Sequence, residues 1–208
     1  MKTRSLSSAA GFTLVELLVV MAIIALLTAL AVSGFRSVNT ALSLSTATQA
    51  VTTELTTARQ TALTLDQTVQ VRFYQYPDST GTTTTKEYQA MQSFKSQDGT
   101  TFTPLDKITY FPANIMISAS TTYSVPLAGT TPKTPLTSDP NINANSVGHN
   151  YSYVPVNFKS NGMIDPQPAN PPWFITLYEK KYGTTGAPVN YTTVSVDPQD
   201  GRMRMFQP

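Results

Sequence analysis

Hydrophobic positions fall into three regimes along the chain. Residues 12–32 are apolar except for Thr13, Glu16 and Thr28, a run of 21 with no polar face. As a helix it reaches about 31 Å, matching the roughly 30 Å hydrocarbon core of a bilayer. Past Val32 the pattern becomes amphipathic. Phe35, Val38, Leu42, Val51, Leu55, Ala58, Ala62 and Leu65 recur mostly at steps of three and four. No proline occurs between Met1 and Tyr76. The pattern therefore predicts one helix from about Thr13 to Leu65. Gly34 and the Thr/Ser-rich residues 43–48 are poor helix formers, so local softening is expected there.

After Asp66 the period becomes two. Residues 68–76 alternate Val69, Val71 and Phe73 with Gln70, Arg72 and Tyr74, as a half-buried strand does. Residues 77–81 (Pro-Asp-Ser-Thr-Gly) read as a turn. Short strands are expected over 88–94, 107–111, 115–118 and 123–127, with Pro126 placing the last at an edge or terminus. Residues 128–147 carry Gly129, Pro132, Pro135 and Pro140 among many Thr and Asn, without periodicity, and read as a mobile surface loop. Strands follow over 151–158 and 173–179, separated by Lys159-Ser160-Asn161-Gly162 and a Pro-rich connector at 166–172. A terminal hairpin pairs 192–196 with 202–206 around the turn 197–201. The expected fold class is α+β, a long N-terminal helix packed on an antiparallel sheet. Its segments are 1–11 (a short basic leader), 12–33 (apolar helix), 34–66 (amphipathic continuation) and 67–208 (head).

Composition narrows the class further. Charged residues make up 12% of the 208, well below the roughly 25% of an average soluble domain, and Thr, Ser, Asn and Gln fill the gap as they do in extracytoplasmic proteins. The formal charge is +2, and Lys2 and Arg4 supply it, so without the first eleven residues the chain is formally neutral. Neutrality argues against a sequence-independent nucleic-acid binder, whose affinity comes from phosphate neutralisation. With no Cys there is no disulfide framework and no thiolate chemistry, and a single His leaves little for a metal site or a triad. His149 lies in a polar stretch and reads as a surface loop residue. Asp98, Asp106, Asp139, Asp165 and Glu179 are scattered, without paired spacing or a phosphate-cradling glycine loop, and read as solvated carboxylates. Neither catalytic residues, a metal site nor a cofactor is expected.

The N-terminus carries the sharpest signal. An ordinary secretory signal places its small-residue cleavage site after the apolar stretch, whereas Gly11 precedes it. Cleavage there removes the charged leader and keeps the helix, with Lys2 and Arg4 holding the leader on the cytoplasmic side. Glu16 is an acid inside an apolar segment, which costs about 2.5–3.5 kcal/mol on insertion scales and calls for a partner or a function. A plain signal anchor whose Glu16 reaches the headgroups is the bland alternative.

The run Gly11-Phe12-Thr13-Leu14-Val15-Glu16-Leu17-Leu18-Val19-Val20 resembles the type III signal of type IV prepilins and pseudopilins. That resemblance implies a pilin-like fold, cleavage by a prepilin peptidase between Gly11 and Phe12, and N-methylation of Phe12. It also implies assembly with other pilin subunits, in which Glu16 meets a neighbour's N-terminal amine. The implied location is the inner membrane with the head in the periplasm, then a pilus or pseudopilus in which 12–33 forms the filament core. Further along, Thr57-Ala58-Arg59, Val69-Gln70-Val71-Arg72-Phe73, Phe158-Lys159-Ser160-Asn161-Gly162, Val196-Asp197-Pro198 and Gly201-Arg202-Met203-Arg204 look like landmarks of GspH/FimT-like minor pseudopilins. Arg72-Phe73-Tyr74, Pro104-Leu105-Asp106-Lys107-Ile108 and Trp173-Phe174-Ile175-Thr176-Leu177 resemble the pilin-like group called Verru_Chthon cassette protein D. The cysteine pair of many major pilins is missing, which favours a minor subunit.

Two rival readings concern the head. Some FimT-like pilins use a C-terminal Gly-Arg-x-Arg segment to capture DNA, which makes Arg202 and Arg204 candidate nucleic-acid contacts on one face of a strand. The alternative is that they keep an exposed edge soluble. Tyr151, Tyr153, Phe158, Trp173, Phe174 and Tyr178 read as core and sheet surface, with a sugar-binding face as the rival. A membrane-anchored enzyme or adhesin outside any filament forms a third class, one that would retain residues 1–11.

Overall fold

The computed structural model describes residues 12–77, 87–142, 147–165, 173–182 and 188–207, and the side chains of all of these except 30–37 and 128. The expected leader 1–11 with Gly11, most of the turn at 77–81 and the connector 166–172 lie outside the described residues. The chain divides into two compact units, Met1–Asn39 and Thr40–Pro208.

One helix, α1 (Leu14–Leu65), runs through both. It passes Gly34 and 43–48 without the softening expected there, and its threonines show why. Thr28, Thr48, Thr52, Thr56 and Thr64 each donate the hydroxyl to the carbonyl four residues back, at 2.7–2.9 Å, so a side chain that competes with helix elsewhere is satisfied inside it. Every described side chain of the first unit is exposed. In the second unit, Leu44, Ala47, Thr48, Val51, Leu55, Ala58 and Ala62 form the buried stripe. Val51, Leu55, Ala58 and Ala62 were expected in it. Val38, Leu42 and Leu65 were too, yet all three are exposed, and Leu44, Ala47 and Thr48 take the inward positions; the side chain of Phe35 lies outside those described. The helix stops at Asp66, which adopts φ 52°, a left-handed conformation Asp tolerates, while Gln67 N bonds Ala62 O.

The strands are β1 (Thr68–Gln75), β2 (Ala90–Ser96), β3 (Thr103–Pro104), β4 (Thr109–Tyr110), β5 (Ile115–Ile117), β6 (Ser152–Phe158), β7 (Ile164–Asp165), β8 (Trp173–Glu179), β9 (Tyr191–Val196) and β10 (Met203–Phe206). They build two antiparallel sheets where a single one was expected. The first runs β3-β2-β1-β6-β7, with β4 also on β2, and the second runs β10-β9-β8-β5. A bridge between Tyr88 and Ile117 stitches them together. The α1 stripe meets inward residues of both: Val69, Val71, Phe73, Met91, Val154, Val156 and Phe158 from the first, and Ile115, Ile117, Ile175, Leu177, Val194 and Val196 from the second.

Most of the stretch expected as a strand over 123–127 is instead part of a helical turn, α2 (Val125–Ala128). Proline lacks the donor a strand ladder needs, yet it fits a first helical turn, where Pro126 sits. A 3-10 turn (Lys180–Tyr182) extends β8.

The largest departure is on the far side of β1. Gln70, Arg72 and Tyr74, expected to face solvent, are buried, because residues 131–142 and 147–151 cross over them. Lys133 pairs with Tyr153, Ile142 pairs with Gly148 and is fully buried, and Tyr151 Oη bonds Pro140 O. This covers much of the supposed mobile loop, of which 143–146 lie outside the described residues. At its centre Arg72 Nη1 meets Asp139 Oδ1 at 2.6 Å, with side chains 5% and 8% exposed. Arg72 Nε bonds Gln70 Oε1 at 2.7 Å, and the guanidinium lies 4.0 Å from the Phe94 ring centre and 4.5 Å from that of Tyr153. A charge taken out of water is tolerable only when paired and hydrogen-bonded in this way. Removing one partner leaves the other uncompensated, so Asp139→Ala should lose about 3–5 kcal/mol in denaturant unfolding of the detergent-solubilised chain, and Asp139→Ala combined with Arg72→Met clearly less.

Candidate functional site

The N-terminal site is built by the first helical turn. Thr13 is the N-cap of α1: Glu16 N donates to Thr13 Oγ1 at 3.2 Å, while Thr13 N and Oγ1 donate to Glu16 Oε2 at 2.9 and 2.8 Å. This is a reciprocal capping box, which satisfies helix-start donors and places a carboxylate at the positive end of the helix dipole. Glu16 Oε1 has no hydrogen-bond partner among the described residues and is open to a further donor. Phe12 is 81% exposed, and the apolar side chains that follow it to Ala29 are exposed as well. The sequence reading found Glu16 but not its bond to Thr13, although Thr-x-x-Glu is the spacing that signals it.

In the head, three of the sequence landmarks converge. Arg59 of α1 packs against Gly162 and Gly201, which belong to the two turns 159–163 and 197–202. Ile164 N bonds Pro198 O at 3.1 Å and holds these turns together. Gly201 has φ +67°, and a Cβ there would stand 2.6 Å from Arg59 Cδ and 2.8 Å from Gly162 O. No other residue fits. The glycine of Gly-Arg-x-Arg is therefore demanded by packing, and Arg59 Nε is buried there without a hydrogen-bond partner.

The arginines that follow do not share a strand face, as had been expected. Arg202 lies in the turn, ahead of β10, and pairs with Asp200 at 3.1 Å. Lys159 likewise pairs with Asp165 at 3.2 Å. Arg204 is exposed on β10, the edge strand of the second sheet, with no acid in ion-pair distance among the described residues. Of the six aromatic residues considered, Tyr151, Tyr153, Phe158, Trp173 and Tyr178 are buried. Phe174 lines an apolar groove of about 290 Å³ with Tyr123, Thr176, Pro188, Tyr191 and Thr193. His149 Nε2 sits 2.9 Å from Asp139 O, at the edge of the covering segment. Among the described residues no group of three His, Cys, Asp or Glu side chains could hold a metal ion.

One titratable group escaped the sequence reading. Burial, reinforced by the neighbouring Asp106, pushes the Glu54 carboxyl up to about 7. No sequence motif marks it, because its neighbours Ser93 and Asp106 are distant in the chain.

The described chain thus combines an acid-bearing helix start with a helix that packs on antiparallel sheets. Residues 6–32 match the model of the prokaryotic N-terminal methylation motif. No curated protein matches the chain. Two solved structures of the minor pseudopilin EpsH from the type 2 secretion system of Vibrio cholerae align with it at 9% identity, with TM-scores of 0.43 and 0.44. They cover 79% and 80% of this chain and 97% of theirs. So distant a likeness establishes neither function nor partner. The prepilin-type methylation motif at its N-terminus and its α+β architecture make the chain pilin-like. Among the described residues no helix is long and apolar enough to cross a membrane.

The arginine–glycine packing predicts coupling. Gly201→Ala should cost about 1–3 kcal/mol, and in an Arg59→Ala background it should cost measurably less, a double-mutant cycle read by denaturant unfolding.

Proposed function

We propose that this chain is a minor structural subunit of a type IV pilus or a type II secretion-like pseudopilus. The reading is carried by one observation: the methylation motif of residues 6–32 overlaps a helix start at which a single acid, Glu16, stands among exposed apolar side chains. Such a surface is unfavourable in water. Lipid covers it in the precursor, anchored in the inner membrane with its head in the periplasm, and neighbouring helices cover it in the filament. A prepilin peptidase cuts between Gly11 and Phe12, and the new amine on Phe12 is methylated. That cation meets Glu16 of an adjacent subunit, whose Oε1 is the oxygen not engaged by Thr13. Each charge is poorly solvated alone, and each neutralises the other. Pilins and pseudopilins are structural rather than enzymatic, and no cofactor enters this mechanism.

Mass spectrometry of the native protein should find N-methylated Phe12 as its first residue; a chain beginning at Met1, or beyond Val32, sinks the proposal. Glu16→Ala should insert and be processed normally yet enter filaments at least about tenfold less, equivalent to roughly 1.4 kcal/mol. Undiminished incorporation, quantified in sheared filaments, contradicts the role of Glu16.

A DNA-binding minor pilin is the second reading, favoured by the exposed Arg204, which has no acid partner among the described residues. The acids beside Arg202 and Lys159 and the neutral mature chain weigh against it. If it holds, duplex DNA binding weakens with salt, and replacing Arg202 and Arg204 by Ala lowers the salt slope by about 2.

A further inference from the structure

Midway along the buried part of α1, an acid faces the first sheet. Ser93 of β2, itself buried, donates its hydroxyl to Glu54 Oε1 and its backbone N–H to Asp106 Oδ1, the latter at 3.2 Å. Asp106 lies in the bend between β3 and β4, which is tied down by Gln92 Nε2 bonding Asp106 O at 2.8 Å. Both carboxyl groups thus meet at one serine. Ser93 brings two protons and gives one to each acid, so any bond between the two acids has no proton unless one of them carries it.

We propose that Glu54 and Asp106 share a single proton and act as a pH-gated latch between α1 and the edge of the first sheet. Asp106 is exposed, whereas the half-buried Glu54 holds the proton and donates it to Asp106. Burial is the main cause that favours neutral Glu54, helped by the charge and hydrogen bond of Asp106 and opposed by the bond from Ser93. Among the described residues no cation pairs with Glu54. Lys95 shares the Ser93 face of β2 two residues on but is exposed, Lys107 follows Asp106 and is exposed, and Arg59 packs against Gly162 and Gly201. Without the proton two carboxylates confront each other at the point where the serine joins helix to sheet.

The sign follows from linkage. Glu54 has a higher affinity for its proton when folded than in the unfolded chain, where its value is 4.5. The latch is at full strength below that value, weakens as pH rises, and is lost above about 7.

The test is thermal unfolding of the full chain in detergent between about pH 5.5 and 8.5. The wild type should lose about 3–8 °C of Tm across this window. Glu54→Gln, which keeps an acceptor for Ser93 and a donor for Asp106, should hold the same Tm throughout. Asp106→Asn, which removes the neighbouring charge, should move the step to lower pH. A flat wild-type profile, a step that survives in Glu54→Gln, or one that Asp106→Asn leaves in place overturns the proposal. Should Asp106→Asn fail to fold, the infrared band of a protonated carboxyl decides. It should be present in wild type near pH 6, absent near pH 8.5 and absent from Glu54→Gln at both, and any other pattern overturns the latch.

Discussion

Burial of one helical stripe, from Leu44 through Val51 and Leu55 to Ala62, against the inward faces of two sheets organises the head. Small side chains share the stripe with large ones, Ala47, Ala58 and Ala62 with Leu44, Val51 and Leu55, so the helix approaches the sheets closely while the larger residues interdigitate. Val69, Val71 and Phe73 of β1 and Val194 and Val196 of β9 meet the same cluster. The two sheets thus share a single core, bridged at Tyr88 and Ile117. Thr48, Thr52 and Thr56 are compatible with a long helix, since the hydroxyl of each is satisfied by the carbonyl one turn back.

Polar side chains then position what the apolar core leaves free. Arg72 and Asp139 hold the covering segment against the outer face of β1, between the rings of Phe94 and Tyr153. Arg59 fills the space that Gly162 and Gly201 leave open and fixes two turns against the helix. Glu54 and Asp106 meet at Ser93, on the edge of the first sheet. In a chain with so few charged residues, these positions are where charge has been placed with structural consequence, and each lies at a junction between elements.

For a pilin-like subunit this arrangement separates tasks. In the proposed subunit the N-terminal turn carries the chemistry of entry, an acid with one oxygen held by Thr13 and one open among the described residues. The head carries none of that chemistry. Its basic residues Arg202 and Lys159 are matched by acids, leaving Arg204 as an exposed cation on the edge strand. Neutral and densely packed, the head suits contact with other subunits better than electrostatic capture of a polyanion.

Local pattern was enough for the helix and for the strands β1, β6, β8 and β9, and it marked the candidate N-terminal site, because each is a property of consecutive residues. An apolar run, an alternation of two, and an acid five residues past a glycine all survive without knowledge of neighbours. Tertiary structure alone decided the rest. That Leu44 faces inward and Leu42 outward depends on where the sheets stand around the helix. That Arg72 is buried depends on a segment more than sixty residues away crossing above it to supply Asp139. Pro126 was compatible with a strand end or a helical turn, and packing chose the turn. The meeting of Arg59 with Gly162 and Gly201, and of Glu54 with Ser93 and Asp106, joins parts of the chain too distant for any local pattern to record. Non-local contacts of this kind come from the folding of the whole chain, which is why the candidate entry site could be read from the sequence and the latch could not.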